Sequence, residues 1–313
     1  MPNRSTAGPR PPVTVRVPAK LNLHLAVGGR RPDGFHELTT VFQAVSLFDD
    51  VTAAPGPGIT VEVSGEGASD VPLDDGNLAV RAARLLAEHA HADAAAHLTL
   101  HKGIPVAGGM AGGSADAAGA LVACDALWAT GLSREELAGL ATELGSDVPF
   151  VLHGGTALGT GRGERLTPVL GTGTYHWVLA LAGGGLTAAE VYAEHDRSPA
   201  QRRRPGTVRR DDVPDGVLAA LRSGDPVALA GALHNDLQAA ALRLRPGLRR
   251  VLDAGDELGA LAGLVSGSGP TIALLARSAS DAIVLAAALS AAGVCRTVRR
   301  ASGPVAGARV VPE

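Results

Sequence analysis

Residues 105–118, Pro-Val-Ala-Gly-Gly-Met-Ala-Gly-Gly-Ser-Ala-Asp-Ala-Ala, set two glycine pairs directly before an alanine-rich run. Glycine tolerates positive φ and lets backbone N–H groups approach a ligand closely. The run behind it predicts a helix, whose first N–H groups lack partners and carry the positive end of the dipole. Such a junction is a cradle for phosphate. Several common cradles are excluded. Gly-x-x-x-x-Gly-Lys-[Ser/Thr] is absent, because neither lysine follows a glycine. The Gly-x-Gly-x-x-Gly spacing of dinucleotide binders is replaced by Gly108-Gly109 and Gly112-Gly113, and the HRD and DFG signatures of protein kinases are missing.

The chain of 313 residues is long for one core and points to about two domains. With 46% apolar and 19% charged residues it is globular in composition, and a net charge of -3 favours neither nucleic acid nor an anionic membrane as partner. Cys124 and Cys295 show no CxxC spacing and read as free buried thiols of a reducing cytoplasm. Residues 1–12 carry positive charge without a following apolar stretch, so a flexible tail is expected rather than a signal peptide. No apolar run approaches the roughly 18–20 residues that span a bilayer. The expectation is a soluble cytoplasmic protein, monomer or homodimer. Among 28 basic residues only Lys20 and Lys102 are lysine. In a chain so biased towards arginine, a retained lysine points either to a need for a compact ammonium or to chance retention of a surface lysine.

Residues 13–17 and 20–27 alternate like strands, the second with Leu21, Leu23, Leu25 and Val27 on one face and Lys20, Asn22 and His24 on the other. Residues 28–34 are turn material and 38–47 a further strand; 51–63 are β, broken by Pro55-Gly-Pro-Gly58. Asn77 is placed to cap a helix from Leu78 to about His89, a short strand spans 97–101, and the helix behind the glycine loop runs to about Trp128. Ser133 caps a helix over 134–144. A second half starts near 170, with strands at 175–182 and 272–276, helices at 226–242 and 246–254, a last helix capped by Ser280 and a last strand at 295–299. Residues 197–212, with Arg202-Arg203-Arg204, read as an exposed loop. Grouped strands and helices give an α+β class.

The glycine loop resembles the ATP-phosphate loop of the GHMP kinases, the superfamily of galactokinase, homoserine kinase and mevalonate kinase. Residues 18–23 (Pro-Ala-Lys-Leu-Asn-Leu), 29–38 (Gly-Arg-Arg-Pro-Asp-Gly-Phe-His-Glu-Leu) and 145–150 (Gly-Ser-Asp-Val-Pro-Phe) are similar to the branch whose alcohol substrate carries cytidine diphosphate. Residues 264–271 match the superfamily's C-terminal glycine motif. The resemblance implies a two-domain fold: a ribosomal protein S5 domain 2-like N-terminal domain over 13–169 and a ferredoxin-like C-terminal α/β domain over 170–313. It implies an ATP-dependent small-alcohol kinase, with Mg²⁺ arriving on the nucleotide. The alternatives are a homoserine- or mevalonate-type kinase, or a non-catalytic nucleotide binder. Where the family loop often has glycine, this chain has Ala107 and Ala111; alanine disfavours positive φ, so these positions are expected not to adopt it.

By the same resemblance, Asp147 is the catalytic base that takes the hydroxyl proton and Lys20 the ammonium that stabilises charge on the attacking oxygen or γ-phosphate. From the residues alone, Asp147 equally suits a turn after a helix, and Lys20 a polar strand face. Asn22 shares the face of Lys20 and is a substrate ligand. Phe35 and His36 correspond to cytidine-binding positions, and Tyr192 is the candidate for the opposing face of the base, or a helix residue packing on the core. Asn77 and Lys102 resemble positions near adenine and ribose. The ATP loop comprises Pro105, Val106, Ala107, Gly108, Gly109, Met110, Ala111, Gly112, Gly113, Ser114 and Ala115. Ser114 either touches phosphate or Mg²⁺ or acts as a helix cap. No His/Cys or carboxylate spacing indicates a structural metal; His89 and His91 face different ways.

Overall fold

The structure, a computed structural model, describes residues 10–183, 185–198 and 215–312. Most of the expected tail and the arginine run at 202–204 lie outside them. The strands form two sheets. The first has eight strands in the order β12 (Arg309–Val310), β1 (Val13–Arg30), β2 (His36–Ala54), β4 (Ala96–Lys102) and β3 (Ile59–Gly65), with β5 (Thr156–Gly161) and β6 (Arg165–Pro168) continuing from β2 and β8 (His234–Asn235) joining β1. Its long hairpin is β1 (Val13–Arg30) with β2 (His36–Ala54); β3 (Ile59–Gly65) runs parallel to β4 (Ala96–Lys102). Helix α1 (Leu78–Ala90) makes that crossover, and Asn77 caps it by accepting from Ala79 N–H at 2.9 Å. Residues 13–17 and 20–27 are one strand: β1 passes through Pro18 with a register shift against β2 between Pro18 and Ala19.

Helix α2 (Gly112–Trp128) is buried between this sheet and its neighbours α1, α3 (Arg134–Leu144) and α4 (Val148–His153). Gly119 permits that fit, since a Cβ there would sit 2.5 Å from Val51 Cγ2. Ser133 caps α3 through a reciprocal bond with Glu136. Helix α4 and strands β5 (Thr156–Gly161) and β6 (Arg165–Pro168) carry no alternating apolar pattern of useful length and were not anticipated.

The second sheet joins β7 (Tyr175–Leu181), β9 (Ala262–Val265), β10 (Thr271–Ala276) and β11 (Thr297–Gly303) in the order β11-β7-β10-β9, all antiparallel. Numbered by position within this half, the order is 4-1-3-2, the ferredoxin-like arrangement. Helices α5 (Ala188–Asp196), α6 (Asp215–Ser223), α7 (Pro226–Ala232), α8 (Gln238–Leu244) and α9 (Gly247–Glu257) lie between β7 and β9, and α10 (Ala279–Ala292) joins β10 to β11. The later half also returns to the first sheet, through β8 (His234–Asn235), parallel to β1, and β12 (Arg309–Val310), antiparallel to it.

Two local expectations are corrected here. The helix expected over 226–242 is split, because 234–235 hydrogen-bonds as β8 to His24 and Leu25. The cap of α10 is Ser278, which accepts from Asp281 N–H, and Ser280 lies inside the helix. The two sheets share one apolar core: Trp177 and Tyr175 of β7 are fully buried with Phe42 and Phe150. The Trp177 indole N–H donates to Gln43 Oε1 at 3.2 Å, fixing the halves against each other.

Candidate active site

The polar face of β1 is covered from three directions rather than half exposed. The loop before α2, the turn between β9 and β10 and the body of the sheet leave Lys20, Asn22 and His24 all buried. Lys20 N–H donates to the Met110 carbonyl at 3.2 Å, and Ser266 Oγ donates to the Gly109 carbonyl at 3.1 Å. The glycine loop is thereby tied to both halves of the chain. Gly109 is required there: its φ is +74, and a Cβ would lie 2.3 Å from the Ser266 carbonyl oxygen. Gly267 allows the matching approach from the other side, with a Cβ position 3.3 Å from Lys20 Nζ.

Lys20 Nζ donates to Asn22 Oδ1 at 2.7 Å and stands 3.6 Å from Asp147 Oδ2. Asn22 Nδ2 donates to Thr40 Oγ1 at 2.8 Å, which in turn donates to the His24 carbonyl. The ammonium is therefore held in direction as well as position. Asp147 precedes α4 without spending its carboxylate on a cap, and its side chain stays about one-third exposed at 32%. The carboxylate is free to take a proton from a group in the cavity.

The loop adopts the geometry that its alanines were expected to avoid. Ala107 has φ 54° and Ala111 φ 64°, both left-handed. Ala111 is also the residue that caps α2, without a side-chain bond, so Ser114 lies in the first turn and is not the cap. Hydrogen bonds from Lys20 and Ser266 and the burial of Met110 hold the loop closely enough to impose the strain. Left-handed alanine costs about 1–2 kcal/mol, partly offset in a glycine variant by greater unfolded-state entropy. Ala107→Gly and Ala111→Gly are each expected to raise stability by about 0.5–1 kcal/mol, read as a higher urea midpoint at constant slope.

Two cavities meet at the first turn of α2. One, of about 180 Å³, is lined by Asn77, Lys102, Val106, Ala107, Gly113 and Asp116 among others. The second, of about 570 Å³, is lined by Lys20, Asn22, Ser114, Asp147, Gly267 and Ser268 at one end. Phe35, His36 and Tyr192 line its other end. Gly113 faces the smaller cavity and Ser114 the larger, so consecutive residues join them. Met110 contributes backbone only, its side chain being fully buried in the core.

Sequence reasoning missed several residues around these positions. Lys102 Nζ lies between two buried carboxylates, 2.5 Å from Asp49 Oδ2 and 2.5 Å from Asp116 Oδ2, and donates to the Gly112 carbonyl at 3.2 Å. Burial, with Asp49 close by, pushes the Asp116 carboxyl up to about 7 against the pull of Lys102. Asp49 also accepts from Gly103 and Ile104 N–H at 2.8 Å, whereas Asp116 Oδ1 is buried with no partner. Burial raises the Asp49 carboxyl as well, but with more donors on Asp49 the Asp116 carboxyl is the more readily protonated of the two. A lone aspartate in an otherwise apolar stretch of helix was the available signal.

At the far end, Arg162 stacks over the half-exposed Phe35 ring at 5.0 Å. His36 stacks directly on Tyr192, with centroids 5.0 Å apart and planes at 24°, so those two rings face each other rather than flanking an open slot. Burial raises the Tyr192 phenol, with Asp147 adding to the effect, so it stays protonated. Among the described residues no group of three or more His, Cys, Asp or Glu is placed to hold a metal, and no helix is long and apolar enough to cross a membrane.

Two family models match the chain, the GHMP kinases N terminal domain over residues 77–155 and the GHMP kinases C terminal over 217–295. The chain belongs to the GHMP kinase family. It is 60% identical over 300 residues to the 4-diphosphocytidyl-2-C-methyl-D-erythritol kinase of Nocardia farcinica (strain IFM 10152), covering 96% of each chain. The same identity holds to that kinase from Mycolicibacterium gilvum (strain PYR-GCK), over 96% of this chain and 93% of the relative. A crystal structure of 4-(cytidine 5'-diphospho)-2C-methyl-D-erythritol kinase is 34% identical, with a TM-score of 0.73 over 92% of this chain and 98% of that one. Homoserine kinase from Cytophaga hutchinsonii ATCC 33406, at 17% identity and TM-score 0.74 over 99% and 100% of the two chains, shares the fold.

Proposed function

We propose that the chain transfers the γ-phosphate of ATP to the 2-hydroxyl of 4-diphosphocytidyl-2-C-methyl-D-erythritol, a step of non-mevalonate isoprenoid precursor synthesis. The observation that carries this reading is the larger cavity: it has the Lys20–Asp147 pair at the phosphate loop and an aromatic, basic wall at the other end. The named relatives, alike over nearly the full length, support it.

ATP fits the smaller cavity and the α2 junction. The left-handed loop and the exposed start of a 17-residue helix present N–H donors to phosphate, while Asn77, Lys102 and Asp116 line the side available to ribose and adenine. ATP would supply the phosphoryl group, and Mg²⁺ arriving with it would supply charge neutralisation, with the Ser114 hydroxyl the protein group placed to hold it. Asp147 takes the proton of the alcohol as the P–O bond forms. Lys20, held in direction by Asn22, lowers the energy of charge on the attacking oxygen. Asn22 orients the alcohol, and Phe35, His36 and Tyr192 hold the cytidine. The free thiols, Cys124 buried with its pKa pushed up to about 12, suit the cytoplasm.

A coupled ADP-release assay tests the assignment across three alcohols: the diphosphocytidyl substrate, homoserine and mevalonate. ADP release with the first alone is expected. Equal turnover of the alcohols lacking a nucleotide would refute the cytidine reading, and ATP binding without any ADP release would make the chain a nucleotide binder.

A further inference from the structure

A third cavity, of about 330 Å³, lies within the second half of the chain and shares no lining residue with the two above. Four connections meet around it: the end of β7, the link from α8 to α9, the residue before β10, and the link from α10 to β11. Leu248, Val251, Pro270 and Val294 give it an apolar lining, and Arg245, Arg250 and Arg296 supply its charge; no carboxylate lines it. The neighbouring acids do not cancel that charge. Arg296 donates to Glu66 Oε1 at 3.0 Å, but the same carboxylate also takes Arg299 at 3.3 Å. Glu190 is held low chiefly by its cap bonds to Thr187, with Arg245 a lesser influence. Arg245 itself donates to the Gly183 and Gly185 carbonyls at 3.2 and 2.9 Å, which aim the guanidinium without neutralising it. Arg250 makes no ion pair or side-chain hydrogen bond among the described residues, and its Nη2 lies 3.8 Å from where a Gly247 Cβ would stand.

We propose that this cavity is an anion site, separate from the catalytic one, that takes a diphosphate group. A guanidinium is a planar, weakly hydrated fork that pairs two oxygens of a phosphate at once. Three forks carried on different connections offer more donors than one carboxylate or one phosphate can accept, and two linked phosphates supply the further oxygens. The volume is that of a small-molecule site, so the apolar lining leaves room for an organic body attached to the diphosphate. Nothing in this inference depends on which alcohol the kinase phosphorylates, since none of the arginines borders the larger cavity.

The chain carries its own reporter. Cys295, expected to be buried, is half-buried and lines the cavity, whereas Cys124 is fully buried. Alkylation of Cys295 by N-ethylmaleimide, which has no charge for the arginines to steer, is followed by peptide mass spectrometry without added Mg²⁺. Inorganic pyrophosphate at about 1 mM is expected to slow alkylation of the wild-type chain about fivefold or more, as a Kd of about 0.2 mM or less gives. Arg250→Ala removes a side chain with no partner to lose; it is expected to need about tenfold more pyrophosphate for the same protection, with ADP release unchanged. A second probe, n-butyl diphosphate, tells the sources of the group apart. Protection at about tenfold lower concentration than pyrophosphate assigns the site to the end of an organic molecule, and equal protection assigns it to free pyrophosphate. Absence of protection by either probe overturns the proposal, as does equal protection by sodium chloride at matched ionic strength. Protection of Arg250→Ala at the wild-type concentration overturns it too. Calorimetric titration checks the same pair without the thiol: the wild-type chain is expected to bind one pyrophosphate more than Arg250→Ala, and identical isotherms overturn the proposal.

Discussion

Asp147→Asn is expected to lower kcat about 100-fold or more while ATP affinity stays within about threefold. The amide keeps the volume and the polar character of the side chain but has no charge with which to take the alcohol's proton. The loss is specific because the carboxylate has no structural duty to lose. It makes no cap bond to α4, and its neighbour Lys20 keeps the 2.7 Å bond to Asn22 when Asp147 changes. The smaller cavity, proposed above for ATP, lies across the first turn of α2, and Asp147 does not line it. Single-turnover ADP release with pre-bound ATP separates chemistry from binding. A variant with near-wild-type turnover and a lowered melting temperature would show that the aspartate serves only the turn at Gly145–Val148.

Lys102→Met is expected to cost about 3–5 kcal/mol of stability near pH 7, the usual range when one partner of a buried ion pair is removed. Asp49 and Asp116 would then share a dry pocket with no cation. Protonation of Asp49 removes the uncompensated buried charge, so the deficit is expected to shrink as pH falls towards the unfolded carboxylate value of about 4. Adding Asp49→Asn to the lysine variant is expected to recover part of the loss, because the buried charge left on Asp49 is gone while the amide oxygen still accepts from Gly103 and Ile104 N–H.

The wild-type chain carries a related signature. Its Asp116 keeps a proton up to about 7 in the folded state and loses it near about 4 when unfolded. Between those values the folded chain binds more protons, so this group makes stability fall as pH rises from about 4 to about 7 and adds no further slope above. Asp116→Asn is expected to flatten that interval. Urea titrations at about pH 5 and about pH 8 read the difference, and an unchanged slope would place the proton elsewhere.

Local signals were legible wherever the physics is local. Asn77 and Ser133 cap the helices that their sequence positions imply, because a cap bond spans only two or three residues. That Asn22 shares the face of Lys20 likewise follows from strand alternation, whereas the ferredoxin-like half was implied by the family resemblance and the bond between the two side chains came from the structure. The break at 234–235 was not legible, since its cause is a strand of the other half. Nor was the stack of His36 on Tyr192, two residues 156 positions apart that only the packing of α5 on the first sheet brings together.

The sequence by itself determined that a glycine-rich loop precedes a helix, that a lysine and an aspartate accompany it, and which family the combination belongs to. Those are statements about residue types at short spacing, and short spacing fixes them. Tertiary structure alone decided the backbone of that loop. Ala107 and Ala111 take left-handed conformations against their own preference, because Lys20, Ser266 and the buried Met110 hold the segment from three sides. A penalty of about 1–2 kcal/mol per residue is enough to guide a reading of the sequence, but it is smaller than the packing that opposes it.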